Sequence, residues 1–128
     1  DGLTLGYGEG DVENVTNTKS NESTMFAKYA IGAATVGIQV SEKDMETGTD
    51  TESTGIGVSY QVNDDLTVSY GANTLESGTS PDQDSTAVGI SYTMGSLGIS
   101  FSMNQVDNIA NSGANDREAY QLGLSFAF

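Results

Sequence analysis

Bulky apolar residues alternate with small or polar ones along nearly the whole chain, and this period of two constrains the fold more than any other feature. In the closing stretch AYQLGLSFAF, Tyr120, Leu122, Leu124, Phe126 and Phe128 oppose Gln121, Gly123, Ser125 and Ala127. Successive side chains of a strand point to opposite faces, so such a stretch reads as a strand with one apolar and one polar face. Eight segments share the pattern, near residues 2–9, 23–31, 34–43, 54–62, 66–76, 86–94, 97–107 and 118–128. Phe26 and Lys28 interrupt it mildly in the second. The connections alternate as well. Tight turns are expected at Gly32-Ala33, Asn63-Asp64-Asp65 and Gly95-Ser96, and long polar loops near residues 10–22, 43–53, 77–85 and 108–117. Two- and three-residue turns join only adjacent antiparallel strands, so the pattern predicts an antiparallel up-and-down meander.

The polar face shows what surrounds the sheet. A soluble sandwich packs its apolar face on a second sheet and exposes Lys, Glu and Thr on the other. Here the polar face is Gly, Ser, Thr, Ala, Gln and Asn through the strand middles, with Lys28 as the one clear charge. Charge gathers at strand ends and loops, the distribution a bilayer demands, because a charged side chain facing lipid at mid-depth costs about 2–4 kcal/mol. Strands of about 9–11 residues tilted near 45° span on the order of 25 Å. The fold class expected is therefore all-β, an antiparallel up-and-down transmembrane β-barrel. Its edges must close in lipid, alone or with further strands. Lys28, Gln39, Ser59, Gln61, Ser69, Asn73, Ser91, Ser100, Asn104 and Gln121 are the expected pore-lining residues. Tyr120, Leu122, Leu124, Phe126 and Phe128 are expected to face lipid.

Composition removes other functions. The 128 residues hold 18 acids against 4 bases, a formal net charge of -14, which repels nucleic acid. Cysteine and histidine are absent, and with them disulfides, thiolate chemistry and nucleophile–histidine pairs. No enzyme is expected. No apolar run approaches the roughly 18 residues of a spanning helix. The chain starts at Asp1 without an initiator Met, which is read as a processed product or a piece of something longer.

With eight alternating strands, alternating short and long connections, and an aromatic-tipped last strand, the chain resembles the carboxy-terminal half of a Gram-negative general porin. The glycine-rich segments AKYAIGAATVGIQVSE, TGIGVSYQVNDDLTVSYGAN and TAVGISYTMGSLGISFSMNQ look like the alphaproteobacterial type. The resemblance implies half of a sixteen-stranded barrel, an outer-membrane channel for passive diffusion of small hydrophilic solutes and ions, and a homotrimer. It also implies that Tyr120, Leu122, Leu124, Phe126 and Phe128 form the signal read by the barrel-assembly machinery. The inward-folded constriction loop of the family has no counterpart in this sequence. A stand-alone eight-stranded barrel is the alternative architecture, though such barrels fill their interior with side chains, which these glycines do not supply.

Outer-membrane barrels carry long loops outside and short turns in the periplasm, so Phe128 is expected on the periplasmic side. Asp1, Asp64 and Asp65 then fall with it, and the remaining acids gather at the outer mouth, predicting a preference for cations. Continued strand parity puts Glu9, Glu42, Glu52, Glu76, Asp84, Asp107 and Glu118 on the outward side of that rim. No cofactor is required. Glu42, Glu46, Asp50, Glu52, Asp82 and Asp84 are candidates for sharing Ca²⁺ or Mg²⁺ with lipopolysaccharide phosphates, since carboxylate oxygens are natural ligands of both ions. A secreted acidic β-rich adhesin or surface-lattice protein is the competing function.

Overall fold

The computed structural model describes residues 2–13 and 19–127, so expectations placed on Asp1 and Phe128 lie outside the described residues. Eight strands follow one another: β1 (Leu3–Glu13), β2 (Lys19–Ile31), β3 (Ala34–Met45), β4 (Thr51–Gln61), β5 (Leu66–Ser77), β6 (Gln83–Met94), β7 (Leu97–Asp107) and β8 (Arg117–Phe126). They form one antiparallel sheet in sequence order, each strand hydrogen-bonded to the next. A 3-10 turn, Ile109–Asn111, lies between β7 and β8.

The short turns form for local reasons. Gly32 and Gly95 sit at φ 57° and 59°, in the left-handed region that two-residue hairpins need and that side-chained residues enter at a cost. Nothing lies within 4 Å of a Cβ added at either, so the constraint is the backbone itself. In the three-residue turn the Asn63 Oδ1 accepts the N–H groups of Asp65 and Leu66, both at 2.9 Å. An Asn side chain mimicking a backbone turn explains why this hairpin manages without glycine.

At the other end the strands run further than their composition suggests. β1 reaches Glu13 rather than residue 9, β2 starts at Lys19 rather than 23, β4 at Thr51 rather than 54, and β6 at Gln83 rather than 86. The loops are correspondingly shorter, 46–50 and 78–82 among them. Polarity does not end a strand when both faces meet water, because the ladder hydrogen bonds are still made. Cross-strand polar pairs support the extensions: the Asn21 Nδ2 donates to the Asp11 Oδ1 at 3.0 Å, and the Lys43 Nζ to the Glu22 Oε1 at 2.6 Å. Three or four extra residues carry each of these strands about 10–13 Å onward.

No hydrophobic side chain is buried among the described residues, and Ser20 is the buried polar one. A sheet of this size with no dry core is stable only where its apolar face meets something other than water. Among the described residues β1 pairs with β2 alone and β8 with β7 alone, so the β8-to-β1 closure of a stand-alone barrel is not formed. Edge side chains are accordingly barest: Leu5 and Leu122 are each 68% exposed, whereas Val58 in the middle of the sheet is 40% exposed.

Candidate pore wall and carboxylate rim

The register fixes which side chains share a face. One continuous row runs Leu3, Tyr29, Val36, Val58, Tyr70, Val88, Met103, Tyr120, and its parity defines the apolar face. The next row runs Thr4, Lys28, Gly37, Gly57, Gly71, Ala87, Asn104, Ala119 and defines the polar face.

Register also gives the tilt. Starting at Ile31, the last residue of β2, cross-strand partners lead through Ala34, Tyr60 and Val68 to Ile90, four residues short of the end of β6 at Met94. The short-turn edge of the sheet thus drops one residue per strand. One residue of about 3.3 Å against a strand spacing of about 4.8 Å corresponds to a tilt of roughly 35°, within the barrel range. Corrected for tilt, Tyr29, Tyr60 and Tyr92 stand at one height, each two residues above Ile31, Val62 and Met94. On the apolar face every position from Leu66 up to Glu76, Met94 up to Asp84 and Leu97 up to Asp107 is uncharged until the named acid. Ten residue steps at this tilt rise about 27 Å, close to the roughly 25 Å apolar band of an outer-membrane barrel.

All ten expected pore-lining residues lie on the polar face. Three of them bond serines of the same face: the Gln39 Nε2 donates to the Ser41 Oγ at 3.2 Å, the Ser53 Oγ to the Asn73 Oδ1 at 2.9 Å, and the Asn104 Nδ2 to the Ser102 Oγ at 3.4 Å. Serines lean over glycines opposite them, so a Cβ at Gly98 or Gly123 would come within 2.5 Å of the Ser125 or Ser100 hydroxyl. Phe26 does the same to Gly6, across whose Cα its ring lies. Apart from Phe26 and a few aliphatic residues towards the loop end, this face is lined by small or polar groups and carries no packed plug among the described residues. Tyr120, Leu122, Leu124 and Phe126 occupy the opposite face, 61–68% exposed.

Charge is sorted by face. Of the strand carboxylates, Glu22 alone is on the polar face, while Glu9, Asp11, Glu13, Glu42, Asp44, Glu52, Glu76, Asp84, Asp107 and Glu118 share the parity of the apolar face. Of the bases, Lys28, Lys43 and Arg117 are on the polar face and Lys19 on the other. Lys43 and Glu22 pair at 2.6 Å with side chains 42% and 45% exposed, a contact of modest value in water. Lys43, Glu22 and Arg117 escape a sequence reading because they fall in stretches whose polarity reads as loop.

The six candidate divalent-cation residues are not brought together, and no three acidic side chains converge among the described residues. Glu42 and Glu52 are direct cross-strand partners, and Glu52 and Glu76 continue the row. Asp84 faces Asp107 and accepts the Thr74 hydroxyl at 2.7 Å. Asp50 instead caps the backbone N–H of Met45 at 2.8 Å, and Asp82 presents its carbonyl to the Asn108 side chain. The β7–β8 loop folds back over β5 and β6: the Asn111 Nδ2 donates to the carbonyls of Leu75 and Pro81 at 2.9 and 3.0 Å, and the Ala110 N–H to the Gln83 Oε1 at 2.8 Å. Leu75 and Gln83 have polar-face parity, so this loop leans to the polar side.

A tilted meander with a lipid-height apolar band on one face and a small polar lining on the other defines the wall of an outer-membrane β-barrel. The chain belongs to the Gram-negative porin family, whose sequence model matches residues 1–128. No curated protein matches the chain. Among solved structures it is similar to OmpT (in-vitro folded), an outer membrane protein of Vibrio cholerae, with a TM-score of 0.61 and 17% identity. That match covers 97% of this chain and 51% of the other, so this chain spans about half the length of its structural relative.

Proposed function

We propose that the chain forms about half the wall of a non-enzymatic outer-membrane channel for passive diffusion of small hydrophilic solutes and ions. The observation that carries this reading is the contrast between its faces: an uncharged apolar band about 27 Å tall backs directly onto a surface of mainly Gly, Ser, Thr, Gln and Asn whose strand middles carry no buried core among the described residues. The match to half of a longer barrel supports a sixteen-stranded whole, and family membership supports a homotrimer contacting lipopolysaccharide and inserted by the barrel-assembly machinery. The glycine-rich strand style supports an alphaproteobacterial type. In this reading the short turns are periplasmic and the loop ends extracellular, and the loop acids Glu46, Asp50, Asp82 and Asp116, which belong to neither face of the wall, draw cations to the outer mouth. Divalent cations at the rim would be held by carboxylate pairs such as Glu42 and Glu52, with lipopolysaccharide phosphate oxygens completing the coordination. The test is reconstitution of the intact polypeptide from detergent into planar bilayers and sugar-loaded liposomes. Discrete conductance steps and size-limited sugar flux are expected; a protein that stays monodisperse without detergent and carries no current would instead be the secreted adhesin or lattice protein.

A further inference from the structure

We infer that the wall contributed by this chain favours small hydrophilic anions, with Lys28 and Arg117 as its selectivity-determining residues, although the chain as a whole is strongly acidic. The inference rests on the channel reading above and concerns the sign of the charge that a permeating ion meets.

Net charge counts every acid equally, but a permeating ion does not. Among the strand residues the polar face carries Lys28, Arg117 and the mutually neutralising Lys43–Glu22 pair. No carboxylate lies within ion-pair distance of Lys28 or Arg117 among the described residues. Lys28 stands three residues above the β2–β3 turn, opposite Thr4 on one side and Gly37 on the other, with Gly57 next in the row. Neighbours that small neither cover the ammonium nor offer it a counter-charge, so it projects into the aqueous side. Arg117 holds the same face at the loop end of β8, opposite Val106.

Solvation explains the placement of Lys28 but not the rest. Within the apolar band a cation has only the aqueous face to occupy. Beyond the band both faces meet water, and the desolvation cost that sorts charges in a membrane vanishes. Arg117 and Lys43 nonetheless point inward there, while Glu42, Glu52, Glu76 and Asp107 point outward. Acids sorted away from the lumen are electrically remote from it. An ion about 6 Å from an ammonium in 0.1 M salt has its local concentration changed about twofold to threefold. A carboxylate about 14 Å away, on the far side of the sheet, changes it by only about a tenth.

The experiment is reversal-potential measurement on the intact polypeptide in planar bilayers under a tenfold KCl gradient. The double variant Lys28→Gln and Arg117→Gln should lower the chloride-to-potassium permeability ratio by about twofold to fourfold. Its Glu counterpart should lower it further. Removing outward acids, Glu76→Gln with Asp107→Asn, should leave the ratio unchanged within error. An unchanged ratio in the Lys28 and Arg117 variants, or an equal shift in the outward pair, overturns the inference while the channel stands. Folded wild-type protein that passes no current overturns the channel reading itself, and the inference with it.

Discussion

The assignment of faces is tested by three arginine substitutions within six residues of one strand. Ile90 lies four residues above Met94, at the short-turn edge of β6, and six below Asp84 in the carboxylate rim. At a rise of about 2.7 Å per residue along the tilted strand, these separations are about 11 and 16 Å, which puts Ile90 near mid-band. Ile90→Arg should therefore cost about 2–4 kcal/mol when the protein folds into a bilayer. Thr86, on the same face but four residues higher, lies near the rim, and Thr86→Arg should cost only about 0–1 kcal/mol. Ser91, adjacent to Ile90 but on the polar face opposite Thr67 and Ser100, should tolerate Arg at a similarly small cost because the guanidinium stays in water. The assay is equilibrium folding of the intact polypeptide into lipid vesicles across a urea series, read by tryptic protection of the folded fraction. A Ser91→Arg penalty as large as that of Ile90→Arg would refute an aqueous polar face. Equal penalties at Ile90 and Thr86 would refute the heights taken from the tilt.

Two further outcomes follow from the rim and its loop. Glu52 stands directly between Glu42 and Glu76, and like charges directly opposite one another destabilise a strand pair, so Glu52→Gln should raise the urea midpoint at low salt. That gain should disappear with millimolar Mg²⁺ if the row shares divalent cations, whereas a gain that Mg²⁺ leaves intact would separate the rim from ion bridging. Asn111→Ala removes both hydrogen bonds that tie the β7–β8 loop to Leu75 and Pro81, a local loss of about 1–3 kcal/mol; limited proteolysis should then cut between residues 108 and 116 several-fold faster, with the urea midpoint little changed.

How far the sequence could be read depended on which interaction set each feature. The hairpins were legible because their chemistry is local: Gly32 and Gly95 supply positive φ, and Asn63 folds its own side chain into its turn. The assignment of residues such as Gln39, Ser69 and Gln121 to one face followed from parity alone. Strand ends were not legible, since Ser, Thr and Glu at 51–54 or 19–23 serve a watered strand as well as a loop, and only the partner's register decides. Heights were legible only relative to the nearest turn: Tyr29, Tyr60 and Tyr92 each stand two residues from a short-turn end, and the one-residue drop per strand then sets how those ends lie along the barrel axis. The β7–β8 loop gave no signal, because the positive φ of Ala110 at 59° is held by contacts to Gln83 and not by its own chemistry.

The same accounting bears on the width of the lumen. Eight strands tilted by about 35° and closed on themselves would enclose a cylinder whose backbone radius is about 8 Å, filled in small barrels by interlocking side chains. The polar face here sets Gly37, Gly57 and Gly71 side by side across three strands, with Gly89, Gly98 and Gly123 further round. Residues that small would leave such an interior largely empty, and among the described residues β8 does not pair with β1. Sixteen strands at the same tilt roughly double the radius, and the glycine rows then become an asset: they keep the wall thin and the water column wide. In a lumen of that size an ion is influenced by individual charges close to the wall more than by the total charge of the chain. The placement of Lys28 among glycines is therefore a more informative guide to its traffic than the eighteen acids that dominate its composition.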